Sequence, residues 1–175
     1  MAAKTGTYTL IGAQTLSSAA TVTFSSIPAI YTDLRLVVVG GTTRATTSDI
    51  IRYQYNGDTA SNYSEIDLNG TGAAVASNHY ANQTHQFQGA VRLVGTDFGL
   101  RSMIIYDIMD YSNTTTYKTT LARCVTPESS VVGTSIAVGL WRSTAAITSI
   151  YLQGDTVANF AIGTTFKLYG IEAAK

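Results

Sequence analysis

Few side chains in this sequence could do chemistry, and most of them stand apart. Glu65 and Asp67 are the best-placed pair: two residues apart in an alternating run, they project from one face of a strand. Two carboxylates on one surface are what glycoside hydrolysis uses, one as acid and the other as base or nucleophile. A solvated strand face accounts for the same spacing. Asp58 lies on the connection just upstream, and Asp107 and Asp110 lie on another strand. His79 and His85 are the only histidines, and a zinc centre would need further ligands that the neighbouring sequence lacks. Asn56-Gly57-Asp58, followed by Asn62, carries oxygens that calcium could use, but it departs from the twelve-residue calcium loop. Turn formation by Asn and Gly explains those residues. Serine is abundant, yet no Gly-x-Ser-x-Gly elbow occurs. Gly40-Gly41 precedes no Lys-Ser/Thr, so no phosphate loop is present. The lone Cys124 excludes an intramolecular disulfide and a multi-cysteine zinc site. With four Lys, three Glu and two His, the chain is poor in the groups that do most catalysis. The expectation is a protein that is not an enzyme, with no catalytic residue, no metal and no cofactor.

The tyrosines are more informative. Tyr53, Tyr55, Tyr63, Tyr80 and Tyr111 are the candidate interface or ligand contacts, within a wider set that includes Tyr106 and Tyr117. Tyrosine offers large contact area with one polar tip. Three uses stay open for them: bulk in a β core, a protein interface, or a platform on which sugars stack.

The elements that must position these residues are strands. Charged residues are 13% of the chain, about half the usual quarter. Thr and Ser number 27 and 15, and Val and Ile add 12 and 14. Hydrophobic content of 45% with zero net charge excludes a disordered chain. Abundant β-branched residues point to an all-β protein. Alternation marks strands at 21–25, 33–41, 51–55, 64–68, 84–94, 101–110, 117–125, 131–141, 147–153 and 164–171. The run 72–81 is ambiguous, a weak or irregular strand. Leu36-Val37-Val38-Val39 reads as a central strand covered on both sides. Phe87, Val91 and Leu93 are expected inward, and Ile136, Val138 and Leu140 share one face. About ten strands without helical periodicity imply a single-domain β-sandwich of jelly-roll type spanning 1–175, with 1–7 as an N-terminal arm.

The start of the chain has no basic segment followed by an apolar run, so no secretory signal is visible. No apolar stretch approaches the length needed to span a bilayer. Eleven basic residues balance eleven acidic ones, and Arg35, Arg44, Arg52, Arg92, Arg101, Arg123 and Arg142 are scattered. Neither a membrane nor a nucleic acid is an expected partner.

Three stretches carry a family resemblance. One runs Tyr8-Thr9-Leu10-Ile11-Gly12-Ala13-Gln14-Thr15-Leu16, then Val22-Thr23-Phe24-Ser25-Ser26-Ile27-Pro28 to Tyr31-Thr32-Asp33-Leu34. Another is Gly139-Leu140-Trp141-Arg142-Ser143-Thr144-Ala145-Ala146-Ile147, with the ending Phe166-Lys167-Leu168-Tyr169-Gly170-Ile171. The third is Arg52 to Ser64 with its Asn-Gly-Asp…Asn-Tyr-Ser loop. Over nearly the whole chain these resemble small virion surface proteins of tailed bacteriophages, of the capsid decoration (cement) or tail-fibre type, from phages of aquatic bacteria. The resemblance implies a structural protein made in the bacterial cytoplasm and carried on the capsid surface. Its partner would be the major capsid protein, and it would close as a homotrimer. The alternative is a tail-fibre or receptor-binding module that contacts a host surface glycan. The resemblance implies no catalytic residues. It gives Ile27-Pro28 and Tyr31-Thr32-Asp33 the turn into a core strand, and packs Trp141 near a strand-to-strand turn.

Overall fold

The computed structural model describes residues 7–45, 49–87, 102–127, 132–155 and 158–172. Twelve strands run through them: β1(Tyr8–Thr15), β2(Val22–Phe24), β3(Asp33–Gly40), β4(Ile51–Tyr55), β5(Tyr63–Gly70), β6(Val75–Gln83), β7(Gln86–Phe87), β8(Ser102–Met109), β9(Lys118–Pro127), β10(Val132–Trp141), β11(Ile150–Gly154) and β12(Thr165–Ile171). The chain is all-β, as its β-branched composition requires. Among the described residues no helix is long and apolar enough to cross a membrane. The expected arm at 1–7 falls almost wholly outside the described residues, as do Val91 and Leu93.

Two antiparallel sheets divide the strands. Eight lie in the order β1-β12-β3-β8-β9-β10-β5-β6, and four in the order β2-β11-β4-β7. The chain alternates between sheets from β1 to β5, which brings distant segments together across one core. Leu34, Leu36 and Val38 of β3, Ile104, Tyr106 and Ile108 of β8, and Phe166 and Leu168 of β12 line the large sheet's inner face. Val22, Phe24, Ile51, Tyr53, Tyr55, Ile150 and Leu152 meet them from the small sheet. Tyr53 packs edge-on against Tyr106 at 5.0 Å between ring centres. Such a pair adds to area burial because ring edges and faces carry opposite partial charge.

The connection from β4 to β5 shows how local chemistry fixes the fold. Asn56 and Gly57 both have positive φ, 53° and 66°, and the Asp58 N–H bonds the Tyr55 carbonyl at 2.9 Å. That is a type I′ turn, for which Asn-Gly is the favoured dipeptide. The Asn56 amide then bridges to another loop, accepting from the Thr148 and Ser149 N–H groups and donating to the Ala146 carbonyl. The turn entering β3 is pinned by three hydrogen bonds to distant segments. The Ile27 N–H bonds the Thr148 carbonyl at 3.0 Å, the Thr32 N–H bonds the Ile171 carbonyl at 2.8 Å, and the Tyr111 hydroxyl donates to the Pro28 carbonyl.

Candidate docking face

The inner and outer faces of the large sheet differ from what alternation suggests. On β10, Ser135, Ala137 and Trp141 turn inward and are buried, while Ile136 and Val138 turn outward, 41% and 49% exposed. On β9, Lys118, Thr120, Ala122 and Cys124 face the core, and Leu121 and Val125 face out. On β5, Glu65 and Asp67 are buried while Ile66 and Leu68 are half exposed. Strand side chains alternate strictly, so one choice of face moves a whole set together. The inward sets of these three strands mix polar residues with Tyr63, Ala122, Cys124, Ala137 and Trp141, while several aliphatic side chains are left on the outer face.

Register gathers the outward apolar set into a patch. One rung across the sheet runs Val37, Ile105, Arg123, Ile136 and Leu68; the next runs Val39, Met103, Val125, Thr134 and Gly70. β3 is therefore covered on one side only, because Val37 and Val39 lie on this open face, half-buried by their neighbours. A shallow depression of about 530 Å³ lies over Leu68, Val75, Met103, Ile105, Val125 and Ile136. Contiguous exposed apolar surface of this kind marks interaction sites on proteins.

One ion network sits within the patch. Asp107 accepts from Arg35 Nε at 2.5 Å and from Arg123 at 2.6 Å. Its side chain is almost covered, whereas that of Arg123 is 48% exposed. Arg35 also donates to the Tyr8 hydroxyl at 2.7 Å. With Lys167 on the same rung as Val37, the middle of the face is positive. A complementary surface would be apolar, with a carboxylate opposite Arg123.

The inner face carries the corresponding polar load. Neither carboxylate oxygen of Glu65 has a hydrogen-bond partner, nor does either amide atom of Gln86, the Ser135 hydroxyl or the Tyr106 hydroxyl. Burial pushes the Glu65 carboxyl up to about 8; the Phe87 backbone opposes the shift and the negative Asp67 adds to it. Asp67 is satisfied instead, accepting from Asn69 at 2.6 Å and Asn78 at 2.9 Å. The two carboxylates thus share a face, as their spacing requires, but it is the closed one. Glu65 is 4% exposed and Asp67 1%.

The candidate tyrosines divide. Tyr53, Tyr55, Tyr63 and Tyr111 are 3% exposed or less, so they are core residues and offer no surface to a partner. The reason is position: Tyr53 and Tyr55 are on the inward set of a strand in the small sheet, and Tyr63 opens β5 beneath Trp141, stacked at 6.3 Å. Only Tyr80 of the five is exposed, at 37%, beside Phe87 at 5.6 Å. The expected inward position of Phe87 belongs to Gln86, which is buried while Phe87 is half-buried. Trp141 does pack beside a turn: its indole N–H donates to Asp58 at 2.7 Å. Asp58 also accepts from Asn62 and the Ala60 N–H, so its oxygens hold the loop together. Burial opposes ionisation there, but these donors outweigh it and lower the Asp58 pKa. His79 is exposed on β6, whereas the His85 ring packs edge-on against Phe87 at 4.3 Å. Among the described residues no three His, Cys, Asp or Glu side chains gather. The Cys124 thiol is buried and pushed up to about 12 by that burial. Sequence reasoning groups Ile136, Val138 and Leu140 on one face but does not show that this face is the outward one, because the other set, Ser135, Ala137, Gly139 and Trp141, is also largely apolar.

No protein-family model matches the chain, and no curated protein matches it. Among solved structures it is similar to a protein of unknown function from Shewanella oneidensis MR-1. The identity is 10% over 98% of this chain and 78% of that one, with a TM-score of 0.28. Similarity at that level carries no argument about function.

Proposed function

We propose that this chain is a bacteriophage virion structural protein of the capsid decoration type, docked by the outer face of its eight-stranded sheet. The observation that carries the reading is the set of aliphatic side chains on the outer faces of β5, β9 and β10, where Ile66, Leu68, Val125, Ile136 and Val138 are left to water. A chain gains nothing from that arrangement alone, since each apolar group would be more stable covered. Strand spacing of about 4.8 Å and a rise of about 3.4 Å per residue give an eight-stranded face of roughly 900 Å² in plan. A stable interface takes about 800 Å² from each partner. The face is therefore the right size to hold the protein on a shell of other subunits. The jelly-roll type is supported by the chain's repeated crossing between sheets. The virion location rests on the sequence resemblance, and the major capsid protein is the partner it implies.

Decoration is a geometric mechanism. A sandwich bound across neighbouring shell subunits adds buried area that must be lost before the shell can expand. Quantitative gel analysis of purified virions tests the reading. A copy number near that of the major capsid protein is expected, with loss of shell heat resistance when the chain is omitted. A few to a dozen copies would instead favour a tail module, in which Tyr80 beside Phe87 would supply the sugar-stacking surface.

A further inference from the structure

We infer that the β6 edge pairs with β6 of a second copy of this chain, extending the large sheet across a two-fold axis. Among the described residues, β6 ends the sheet and has β5 as its only neighbour in it. Along Val75–Gln83 every residue except Asn78 and Gln83 is exposed, and Val75 reaches 81%. Sheet edges are normally guarded by charge, proline, a bulge or a covering segment, because their free N–H and C=O groups are a template for another strand. The sequence VASNHYANQ has no Lys, Arg, Asp, Glu or Pro. Its register against β5 is regular from Tyr80 to Val75, and the one irregularity lies at the far end, between Tyr63 and Glu65. A straight, uncharged edge of six residues is thus presented.

The opposite edge of the sheet differs. β1 is broken in its middle by a register shift between Leu10 and Gly12. A head-to-tail contact of β6 on β1, which a three-fold ring would require, meets that bulge. Pairing β6 with itself does not, and it is the isologous contact that closes a dimer.

Strand geometry fixes the register class. A two-fold axis normal to the sheet keeps both outer faces on one side, so outward residues must oppose outward residues. Val75, Ser77 and His79 are the outward set, opposite Gly70, Leu68 and Ile66 of β5. An axis through Ser77 places Val75 opposite the partner's His79 and uses only the straight part of the strand. The apolar faces of the two copies then form one continuous surface. This pairing stands on β6 itself and does not require the virion reading.

Sedimentation equilibrium of the purified chain tests it. The expected mass is twice 18.6 kDa, falling to one chain in the Ser77→Lys/His79→Lys variant, where like charges oppose across the axis. Thermal unfolding followed by circular dichroism verifies that the variant is folded. A second variant keeps the test open if it is not: Ser77→Cys should link to itself on mild oxidation, while Thr59→Cys, exposed in the β4–β5 loop, should not. A monomer at the highest soluble concentration, a three-chain mass, a dimer unmoved by the folded lysine variant, or equal cross-linking at positions 59 and 77 would overturn the pairing.

Discussion

Ser135 and Ile136 are adjacent on β10 and face opposite ways, the serine into the core at 5% exposure and the isoleucine into water at 41%. The Ser135 hydroxyl finds no hydrogen-bond partner there. Turning β10 over would cover Ile136 and Val138 but would expose Ala137 and Trp141, so neither orientation buries all of its apolar groups. Under the docking proposal, Ile136 and Val138 serve binding, while Ala137 and Trp141 serve stability. The Ile136→Thr/Val138→Thr variant separates the two roles. Its unfolding free energy should change by about 0.5 kcal/mol or less, as for ordinary surface positions. Its binding to capsid shells, measured by co-sedimentation, should fall at least tenfold. Undiminished binding would remove the outer face from the docking proposal.

Glu65 makes stability depend on pH in an unusual direction. Its ordinary carboxyl value is 4.5, and in the folded chain it stands at about 8. Between those values the unfolded chain has released a proton that the folded chain retains, so raising the pH favours unfolding. Stability contributed by the protonated carboxyl is full below 4.5 and is lost as pH rises toward 8 and beyond. The Glu65→Gln variant should remove this slope and gain on the order of 5 kcal/mol over the parent at pH 9. Urea midpoints measured from pH 4 to pH 9 test it; parallel curves for the two proteins would show that Glu65 does not titrate in this way.

Much of this fold can be read from alternation, but the choice of face cannot. The strands at 33–41, 51–55 and 117–125 are visible because apolar and polar residues take turns. Alternation gives two sets and does not say which is covered. On β4 the apolar set goes inward, so sequence and structure agree; on β3 Leu34, Leu36 and Val38 go inward, but Val37 and Val39 lie on a face expected to be covered. On β5, β9 and β10 both sets carry apolar residues: Tyr63, Ala122, Cys124, Ala137 and Trp141 go inward, and Ile66, Leu68, Val125, Ile136 and Val138 go outward. Tyrosine is ambiguous for a related reason, since it serves core and surface alike; Tyr53 and Tyr80 differ in their place on a sheet, not in their chemistry. The Asp58–Trp141 bond joins residues too far apart in sequence for spacing to reveal.

Gly170 is a position where a single methyl group should be costly. A Cβ there would lie 2.2 Å from a ring carbon of Tyr31. Tyr31 is half-buried against the core, so its ring must move rather than flex at its tip. Gly170→Ala should lower stability by about 1–3 kcal/mol, the usual range for overpacking. Combining it with Tyr31→Ala should make the alanine at 170 nearly neutral relative to Tyr31→Ala alone. Chemical denaturation of the four proteins in that cycle measures the coupling, and additive losses would place the strain elsewhere.

The indole of Trp141 holds the end of β10 to the β4–β5 loop through Asp58. Trp141→Phe keeps an aromatic ring over Tyr63 but deletes the N–H. Asp58 would then keep Asn62 and the Ala60 amide as donors, so its carboxylate is weakened rather than orphaned. Losing a hydrogen bond to a charged group costs about 1.5–3 kcal/mol. The Asp58→Asn variant should cost a similar amount, and the double variant little more than either alone, because both remove the same contact. The Asp58 pKa, followed by carboxyl chemical shift against pH, should rise in Trp141→Phe, since one of the donors that lowers it is gone. An unchanged titration with an unchanged unfolding midpoint would mean that stacking on Tyr63, not the indole N–H, holds Trp141 in place.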